Sequence, residues 1–212
     1  MPQPYLVTQH GNVLGEIDTQ SVFVSRRHAS NHGSDCFVYN GLDWSDYPEP
    51  AFTTEQKYFH FLGKAAWRVK NLKGAMEVTR RAGERLVVMG GRRVEIRMGI
   101  KISLRRHVRF MGMVADQRKA EIMSASRGLV FPVTWHEPFG LAVIESLYYG
   151  CPVFATPYGA LPEIVIPGYG ELSARQDDLS QALSDWQRFD RRRCHEYVVQ
   201  RFNARRMAED YL

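Results

Sequence analysis

The sequence predicts an α/β protein with a mostly parallel, doubly wound sheet and helices on both of its faces. From about residue 58 onward, strand-like and helix-like segments alternate, and the connections between them are short. Three of the strand-like segments end in glycine. This alternation is typical of βαβ units, in which helices join parallel strands. Ligands bind such sheets at the carboxyl ends of the strands, so a site is expected in the loops there.

Each predicted element rests on a local pattern. Short apolar runs predict strands at 58–63, 85–91, 107–112, 128–134 and 152–156. Helical spacing of apolar residues, with capping or stop residues at the ends, predicts helices at 71–83, 116–126, 139–150 and 179–189. Asp116 is the predicted N-cap of the second helix, and Gly150 closes the third. A final amphipathic segment covers 195–212.

The first 55 residues differ in character from the rest. "YLVTQHGN" and "SVFVSRRHA" are predicted to form two strands. "YNGLDWSDYPEP" is rich in turn residues and ends in two prolines, which indicates a linker.

Composition indicates a globular protein and excludes several classes. The 212 residues are 44% hydrophobic and 24% charged, which is the balance of a folded domain. No apolar run approaches the roughly 20 residues that span a bilayer. Cys36, Cys151 and Cys194 have neither disulfide-framework nor zinc-ligand spacing. We therefore expect a cytoplasmic protein.

The chain is basic, with a formal net charge of +5 and a pI near 9.2, and most of the excess is arginine. Part of it is clustered at 105–106 and 191–193. These clusters are either solvated helix faces or attract phosphates, those of a nucleotide ligand or of the inner face of a membrane that the protein contacts peripherally. Nucleic acid lacks support, because no basic run is interleaved with aromatic residues in a reader pattern.

Two acids eight residues apart, Glu137 and Glu145, mark the segment "TWHEPFGLAVIES". Glu137 falls in the loop after a predicted strand, and Pro138 suits the start of a helix. Gly140 lets a ligand approach the backbone closely. The backbone N–H groups at 139–141 then form an anion site suited to a diphosphate.

The two carboxylates flank this helix start. Glu145 could accept hydrogen bonds from a ribose diol, and Glu137 from hydroxyls attached to the diphosphate. A nucleotide-sugar would require this arrangement. Taken singly, Glu145 could instead be a helix-surface residue paired with an arginine, and Glu137 a stabilising charge at a helix N-terminus.

Several segments together resemble one family. "HEPFGLAVIESLYYGCPVFATPYGALPEIV" closely resembles the C-terminal, donor-binding domain of GT-B glycosyltransferases of the retaining family-4 type, whose signature contains E-x7-E within EPFG, then G-x-P-V and G-x-x-E. "FLGKAAWRVKNLKG" resembles the family's phosphate loop, "VRFMGMV" the segment before the base-binding turn, and "VFVSRRHA…VYNGLD" the segment joining two domains. The resemblance covers essentially the whole chain and implies a Rossmann-like fold, the C-terminal half of a GT-B fold.

The resemblance also implies roles. Glu145 would hold the ribose hydroxyls, Glu137 would contact the donor sugar, and Lys70 would neutralise the departing diphosphate. Met113 and Val114 would lie beside the base, and Arg118 either borders the base or is a surface residue. The remaining implied donor-binding residues are Gly63, Lys64, Arg68, Pro138, Phe139, Gly140 and Leu141. The donor would be UDP- or GDP-linked, with no metal or other cofactor.

One departure concerns catalysis. The family usually has an arginine five residues before the phosphate-loop lysine, where this sequence has Ala65. Lys64, which directly follows the glycine, is one candidate substitute, and Arg68 is a second. Either the loop carries a one-residue insertion and Lys64 takes the catalytic role, or catalysis is impaired, because lysine is a point charge without the fork of arginine.

A second departure concerns the domains. We predict a remnant of the acceptor domain at 1–22, an inter-domain segment at 23–55, the nucleotide-sugar-binding domain at 56–190 and a C-terminal crossing helix at 191–212. The family's first domain is otherwise missing from the sequence, so an acceptor-domain partner chain or a homodimer is expected.

The predicted function is that of a hexosyltransferase-like enzyme in polysaccharide, lipopolysaccharide or glycolipid synthesis. The alternative is a non-catalytic nucleotide-sugar-binding module or a subunit of a split enzyme. A sugar-nucleotide epimerase fits the E-x7-E set poorly.

Overall fold

A parallel sheet of six strands forms the centre of the computed structural model, which describes residues 5–12, 15–91, 94–95, 101–102 and 106–212. The strands are β1 Val7–Gln9, β2 Ser21–Phe23, β3 Tyr58–Leu62, β4 Leu86–Met89, β5 Val94–Glu95, β6 Lys101–Ile102, β7 Val108–Gly112, β8 Ser126–Phe131, β9 Val153–Ala155 and β10 Gly170–Leu172. The helices are α1 Arg26–Asn31, α2 Leu72–Arg81, α3 Asp116–Ser124, α4 Leu141–Tyr148, α5 Leu161–Ile164, α6 Gln176–Ser184, α7 Arg191–Arg201 and α8 Ala204–Asp210. Short 3-10 helices lie at Trp44–Asp46, Arg68–Lys70 and Trp186–Arg188.

The order of the strands confirms the predicted fold class. The central sheet runs β10-β9-β8-β3-β4-β7, and every neighbouring pair is parallel. Numbered along the chain within this sheet, that order is 3-2-1-4-5-6 read from the β7 edge, which is the order of Rossmann-like folds. The order reverses between β3 and β8. Ligands bind such folds at this switch point.

The core lies between the sheet and its helices. Strands β4 and β9 are buried along their whole length, and α2 packs beside α6 while α4 packs beside α7. β5 and β6 form a separate antiparallel pair. No helix in the described part of the chain is long and apolar enough to span a membrane.

The residues that precede the central sheet pack against it. β1 and β2 pair in parallel, as two strands were predicted there, but the second ends at Phe23 and α1 follows. The prediction of a strand continuing to Ala29 was wrong because Ser25 caps α1: its hydroxyl accepts from the His28 N–H. The turn-rich segment is also packed. Trp44 stacks on Tyr148 of α4, with ring centroids 4.5 Å apart.

Several helix boundaries differ from the prediction. Asp116 is the first residue of α3 and not its N-cap, which is Ala115 without a side-chain bond. α4 starts at Leu141, two residues after the predicted start, so Pro138 precedes the helix. The predicted helix at 179–189 is α6, which starts earlier at Gln176, followed by a 3-10 turn.

The final segment consists of two helices where one was predicted. Asn203 separates α7 from α8 and caps α8 through its side chain, which accepts from the Arg206 N–H. The same connection pairs with Leu42, which donates its N–H to the Phe202 carbonyl. No observation tests the predicted domain boundaries, which stay predictions.

The arginine cluster at 191–193 is only partly solvated. The Arg191 guanidinium donates to three backbone carbonyls, those of Phe52, Ser124 and Tyr149. It therefore has a structural role. Arg105, of the other cluster, lies outside the described residues, and Arg106 is exposed.

Candidate active site

Two loops meet at the switch point of the sheet. One follows β3 and covers 63–71, and the other follows β8 and covers 132–140. The Thr134 N–H donates to the Val69 carbonyl at 2.9 Å, and the Asn71 side chain donates to the Pro132 carbonyl at 2.8 Å. Asn71 adopts a left-handed conformation with φ 53° and also caps α2. The two loops thus form one rigid unit.

A buried ion pair connects these loops. The Lys70 Nζ lies 2.8 and 2.7 Å from the two carboxylate oxygens of Glu137. Glu137 is only 5% exposed, and its Oε2 also accepts from the indole N–H of Trp135 at 2.8 Å. A buried carboxylate needs such partners because an unpaired charge in the interior is costly. The pair places the predicted sugar and diphosphate residues in direct contact.

Glycine lets the Glu137 loop lie close to the loop before α5. Gly159 has φ 65°, and a Cβ there would lie 2.2 Å from the Glu137 carbonyl oxygen. The same carbonyl accepts from the Ala160 N–H at 2.9 Å. The turn at Gly159 and Ala160 therefore holds the backbone of Glu137 in position.

The start of α4 leaves backbone donors free. Gly140 is its N-cap, with φ 106°, a conformation that favours glycine. Within the described ranges, no acceptor is bonded to the N–H groups of Phe139, Gly140 and Leu141. The Phe139 side chain is buried against Tyr39 and Phe202. The loop is thus fixed while its amides are available to an anion.

Glu145 lies in the second turn of α4 and has two partners. Its Oε1 accepts from the Lys119 Nζ at 2.7 Å and from the Tyr47 hydroxyl at 3.2 Å. Burial, followed by the charge of Glu145, raises the pKa of Tyr47. Burial lowers the pKa of Lys119, but the bonds to Glu145 and Asp116 outweigh this effect and raise it. Among the described residues, none bonds to Oε2 of Glu145.

The predicted base-contacting residues lie after β7. Met113 is 86% exposed, whereas Val114 is half-buried and packs against the core. Arg118 is exposed and its guanidinium pairs with Glu121 at 2.5 Å, one helical turn away. This pair favours the surface role for Arg118.

The catalytic substitutes proposed for the missing arginine are not in contact with the ion pair. Lys64 is exposed, and its Nζ lies 4.8 Å from the ring centroid of Trp67. Ala65 donates its N–H to the Gly90 carbonyl, and its side chain packs against the core. Arg68, in the 3-10 turn, is exposed and forms no ion pair with another described residue. Gly63 adopts φ 153° at the end of β3.

Sequence reasoning missed three residues that contact the two acids: Trp135, Lys119 and Tyr47. Trp135 lies two residues before Glu137, so its proximity was a usable signal. Lys119 and Tyr47 are 26 and 98 residues from Glu145, and no spacing in the sequence indicates those contacts.

The site combines two largely buried lysines, Lys70 and Lys119, with two carboxylates and a row of free amides. This combination can bind an elongated ligand with anionic groups at its centre and hydroxyls at its ends. Among the described residues, no group of three or more histidines, cysteines and acids could hold a metal ion.

Fold and site together define a Rossmann-like protein with free backbone amides at the helix start beside its switch point. The sequence model of the family described as "Glycosyl transferases group 1" matches residues 44–198, which is more than half of the chain. The chain therefore belongs to this family of glycosyltransferases.

Curated relatives agree with this assignment. A sucrose synthase from Acidithiobacillus caldus is 32% identical over 125 residues, which are 48% of this chain and 16% of the relative. An O-antigen chain mannosyltransferase B from Escherichia coli is 34% identical over 58 residues, 27% of this chain and 15% of the relative. The match thus covers only a small part of each relative's own length.

Solved structures share the fold. AviGT4, a glycosyltransferase involved in avilamycin A biosynthesis, superposes with a TM-score of 0.78 at 19% identity, covering 97% of this chain and 66% of its own. Sucrose-phosphate synthase from Thermosynechococcus elongatus gives 0.73 at 20% identity, covering 90% and 56%. Anabaena HepE, solved in complex with UDP and glucose, gives 0.73 at 16% identity, covering 99% and 70%.

Proposed function

We propose that this chain is the donor-binding part of a glycosyltransferase that takes its sugar from a UDP- or GDP-linked donor and transfers it with retention. The observation that carries the proposal is the position of the Lys70–Glu137 ion pair. It lies at the switch point, where the loops after β3 and β8 meet, beside the free amides at the start of α4.

The diphosphate is proposed to bind at the start of α4. The N–H groups of Phe139, Gly140 and Leu141 would donate to its oxygens, and the helix dipole favours the negative charge. Lys70 supplies a full positive charge nearby. HepE, whose fold is similar, was solved with UDP and with UDP-glucose, which supports a uridine diphosphate as the first ligand to test.

Glu145 is proposed to hold the ribose. Its Oε1 is taken by Lys119 and Tyr47, which fix the orientation of the carboxylate. Its Oε2 remains available to accept a bond from a ribose hydroxyl. The carboxylate therefore needs no change of partner to bind the ligand.

Glu137 is proposed to contact the donor sugar. In the transfer step, the bond from the sugar C1 to the diphosphate oxygen breaks, the acceptor oxygen bonds to C1 on the same face, and the acceptor proton passes to the departing diphosphate. Negative charge develops on the leaving group, where Lys70 and the free amides stabilise it. Because residue 65 is alanine, the cationic part of this stabilisation depends on Lys70, a point charge, without the fork of an arginine beside it.

Nucleotide binding tests this proposal. UDP or GDP at about a hundredfold excess over its Kd should raise the melting temperature by about 5 °C or more. Glu145→Ala should remove the shift, whereas Glu121→Ala, an exposed acid on α3, should retain it. If neither nucleotide shifts the melting temperature, the proposal that this site binds a nucleotide-sugar donor is wrong.

Transfer itself requires an acceptor, and we propose that a further domain or chain supplies the acceptor site. Donor hydrolysis and sugar transfer should therefore be measured with and without a protein that provides an acceptor domain of this family. Binding of the nucleotide without turnover under both conditions would favour the non-catalytic module.

A further inference from the structure

We infer that Trp67 is a stacking platform for a pyranose ring. This inference rests on the proposed function, because it adds a sugar subsite beside the donor site. Trp67 is 47% exposed and directly precedes the 3-10 turn that ends at Lys70. An indole at this point lies beside the ion pair that defines the candidate active site.

The Trp67 ring joins an aromatic wall. It meets the Trp135 ring edge-to-face, with centroids 6.4 Å apart and an interplanar angle of 84°. Trp135 in turn donates to Glu137 and carries the Lys70 ammonium 5.1 Å from its ring centroid. The two tryptophans therefore form a continuous surface from solvent to the buried carboxylate.

The platform is held rigid without a ligand. The backbone N–H of Trp67 donates to the Lys64 carbonyl, and the backbone N–H of Lys70 donates to the Trp67 carbonyl. The Lys64 ammonium lies 4.8 Å from the Trp67 ring centroid. The backbone on both sides of the indole is therefore already ordered when a ring stacks on it, which lowers the entropic cost of binding.

Exposure of this indole is part of a pattern. Six large apolar side chains of the described residues are exposed: Tyr5, Leu6, Trp67, Met113, Leu141 and Leu212. Three of them, Trp67, Met113 and Leu141, lie in segments that follow carboxyl ends of strands of the central sheet. All three therefore lie at the edge of the sheet where folds of this kind bind ligands.

The chemistry of the surface selects a sugar. The face of an aromatic ring is negative, and the C–H groups on one face of a pyranose are weakly positive and apolar. The hydroxyls at the rim of the pyranose would meet polar groups beside the indole, such as the Lys64 ammonium. The pyranose could be that of the donor or that of the acceptor, and both would stack in the same way.

Titration calorimetry on wild type, Trp67→Ala and Trp67→Phe tests the inference. The probes are UDP, GDP, UDP-glucose, GDP-mannose, and methyl glucoside and methyl mannoside with UDP or GDP present. In Trp67→Ala, the Kd of either the sugar nucleotides or the methyl glycosides should rise about fivefold, whereas the Kd of UDP and of GDP should stay unchanged. Trp67→Phe, which keeps an aromatic ring, should retain part of the lost affinity. Trp186→Phe is the control. The Arg127 guanidinium lies over the Trp186 ring near the N-terminal end of β8, whereas the candidate active site lies after its C-terminal end.

The outcomes separate the two proposals. If Trp67→Ala binds the sugar nucleotides more weakly, the platform belongs to the donor sugar. If it binds the methyl glycosides more weakly, the platform belongs to the acceptor. If Trp67→Ala binds all the sugar probes with unchanged affinity and still binds UDP or GDP, the stacking proposal is wrong and the donor-site proposal is unaffected. Binding of a glycoside that depends on Trp67, without any nucleotide binding, overturns the donor site alone. A wild-type chain that binds none of the probes overturns both.

Discussion

Glu137 and Lys70 depend on each other, and this dependence is the most consequential relation between single residues in the site. Their side chains are 7% and 14% exposed, so neither charge is well solvated. Breaking one partner of such a pair leaves the other buried and uncompensated. Stability and chemistry therefore coincide at these two positions.

Lys70→Met should lower the free energy of unfolding by about 3 kcal/mol, because the Glu137 carboxylate loses its cation. The double variant Lys70→Met with Glu137→Gln should recover most of this loss in urea unfolding. Under the proposed function it should not recover binding of UDP or GDP, because the cation proposed to lie beside the diphosphate is still absent. Equal destabilisation in the single and double variants would contradict the buried-charge explanation.

His60, in the centre of β3, gives the protein a pH-dependent stability. It is fully buried between the hydroxyls of Ser126 and Ser146, at 2.7 and 2.9 Å, and burial lowers its pKa to about 3. The unfolded chain binds a proton near its ordinary pKa of about 6.5, so the unfolded state gains protons first as the pH falls. The contribution of neutral His60 to stability is thus complete above that value and is lost progressively toward pH 3.

Urea unfolding between pH 7 and pH 4.5 should therefore show a loss on the order of 2 kcal/mol that depends on His60. In His60→Gln, which keeps hydrogen-bonding groups, this part of the pH dependence should disappear. His136→Gln, at an exposed position, should retain it. An unchanged pH profile in His60→Gln would refute the assignment.

At this scale the acids were predictable and their partners were not. Glu137 and Glu145 are recognisable because they flank a proline, a glycine and an apolar helix in one short segment. The contacts of Glu145 with Tyr47 and Lys119 depend on how distant segments pack, which no local spacing encodes. Trp135 could have been found from its position next to Glu137.

Among the elements, the loop before α5 positions the Glu137 loop by close backbone approach. Gly159→Ala would bring a Cβ 2.2 Å from the Glu137 carbonyl oxygen, at φ 65°. Gly168 also has a positive φ, 96°, but a Cβ there would meet nothing within 4 Å. Substitution of Gly168 therefore tests backbone strain alone, whereas substitution of Gly159 tests the same strain together with steric overlap.

Gly168→Ala should cost about 1 kcal/mol, from its backbone conformation alone. Gly159→Ala should cost about 2–4 kcal/mol, because overlap is added to the same strain. The midpoint of urea unfolding measures both, with the slope as a check on the unfolded state. Similar losses in the two variants would show that the loops do not need this close approach.

Elements with an apolar run or a helical spacing of apolar residues were predictable, and elements without such a pattern were not. β3, β4, β7, β8 and β9 follow from apolar runs, and α2 from its helical spacing and the closing glycine. α1 was missed because its first two residues are arginines that continue a strand pattern. β10 has three half-buried residues and no alternation, so only its pairing with β9 defines it.

Across the whole molecule, Glu163 connects the first 40 residues to the central sheet. One carboxylate oxygen accepts from the Arg27 N–H, and the other from the Arg26 N–H and the Tyr39 hydroxyl. Burial, with the bond to Glu163, raises the pKa of Tyr39 to about 12. A single side chain thus caps α1 and anchors the chain that follows it.

Glu163→Ala should loosen this connection without unfolding the sheet. Hydrogen exchange should show faster exchange of the amides of α1, while the amides of β3 and β4 keep their protection. Glu171→Ala, which removes an exposed ion pair with Arg188 at the sheet edge, is the control and should leave α1 unchanged. Uniformly faster exchange throughout the chain would mean that Glu163 stabilises the whole fold.

The ion pair at the switch point also has a kinetic consequence. Lys70 and Glu137 are 67 residues apart and come from opposite halves of the sheet, so their contact needs β3 and β8 side by side. Under the proposed function, a chain with only one half of the sheet folded therefore lacks a complete donor site. A nucleotide that binds there would stabilise the completed sheet and not its separate halves, so it should slow unfolding and leave the early steps of refolding unchanged.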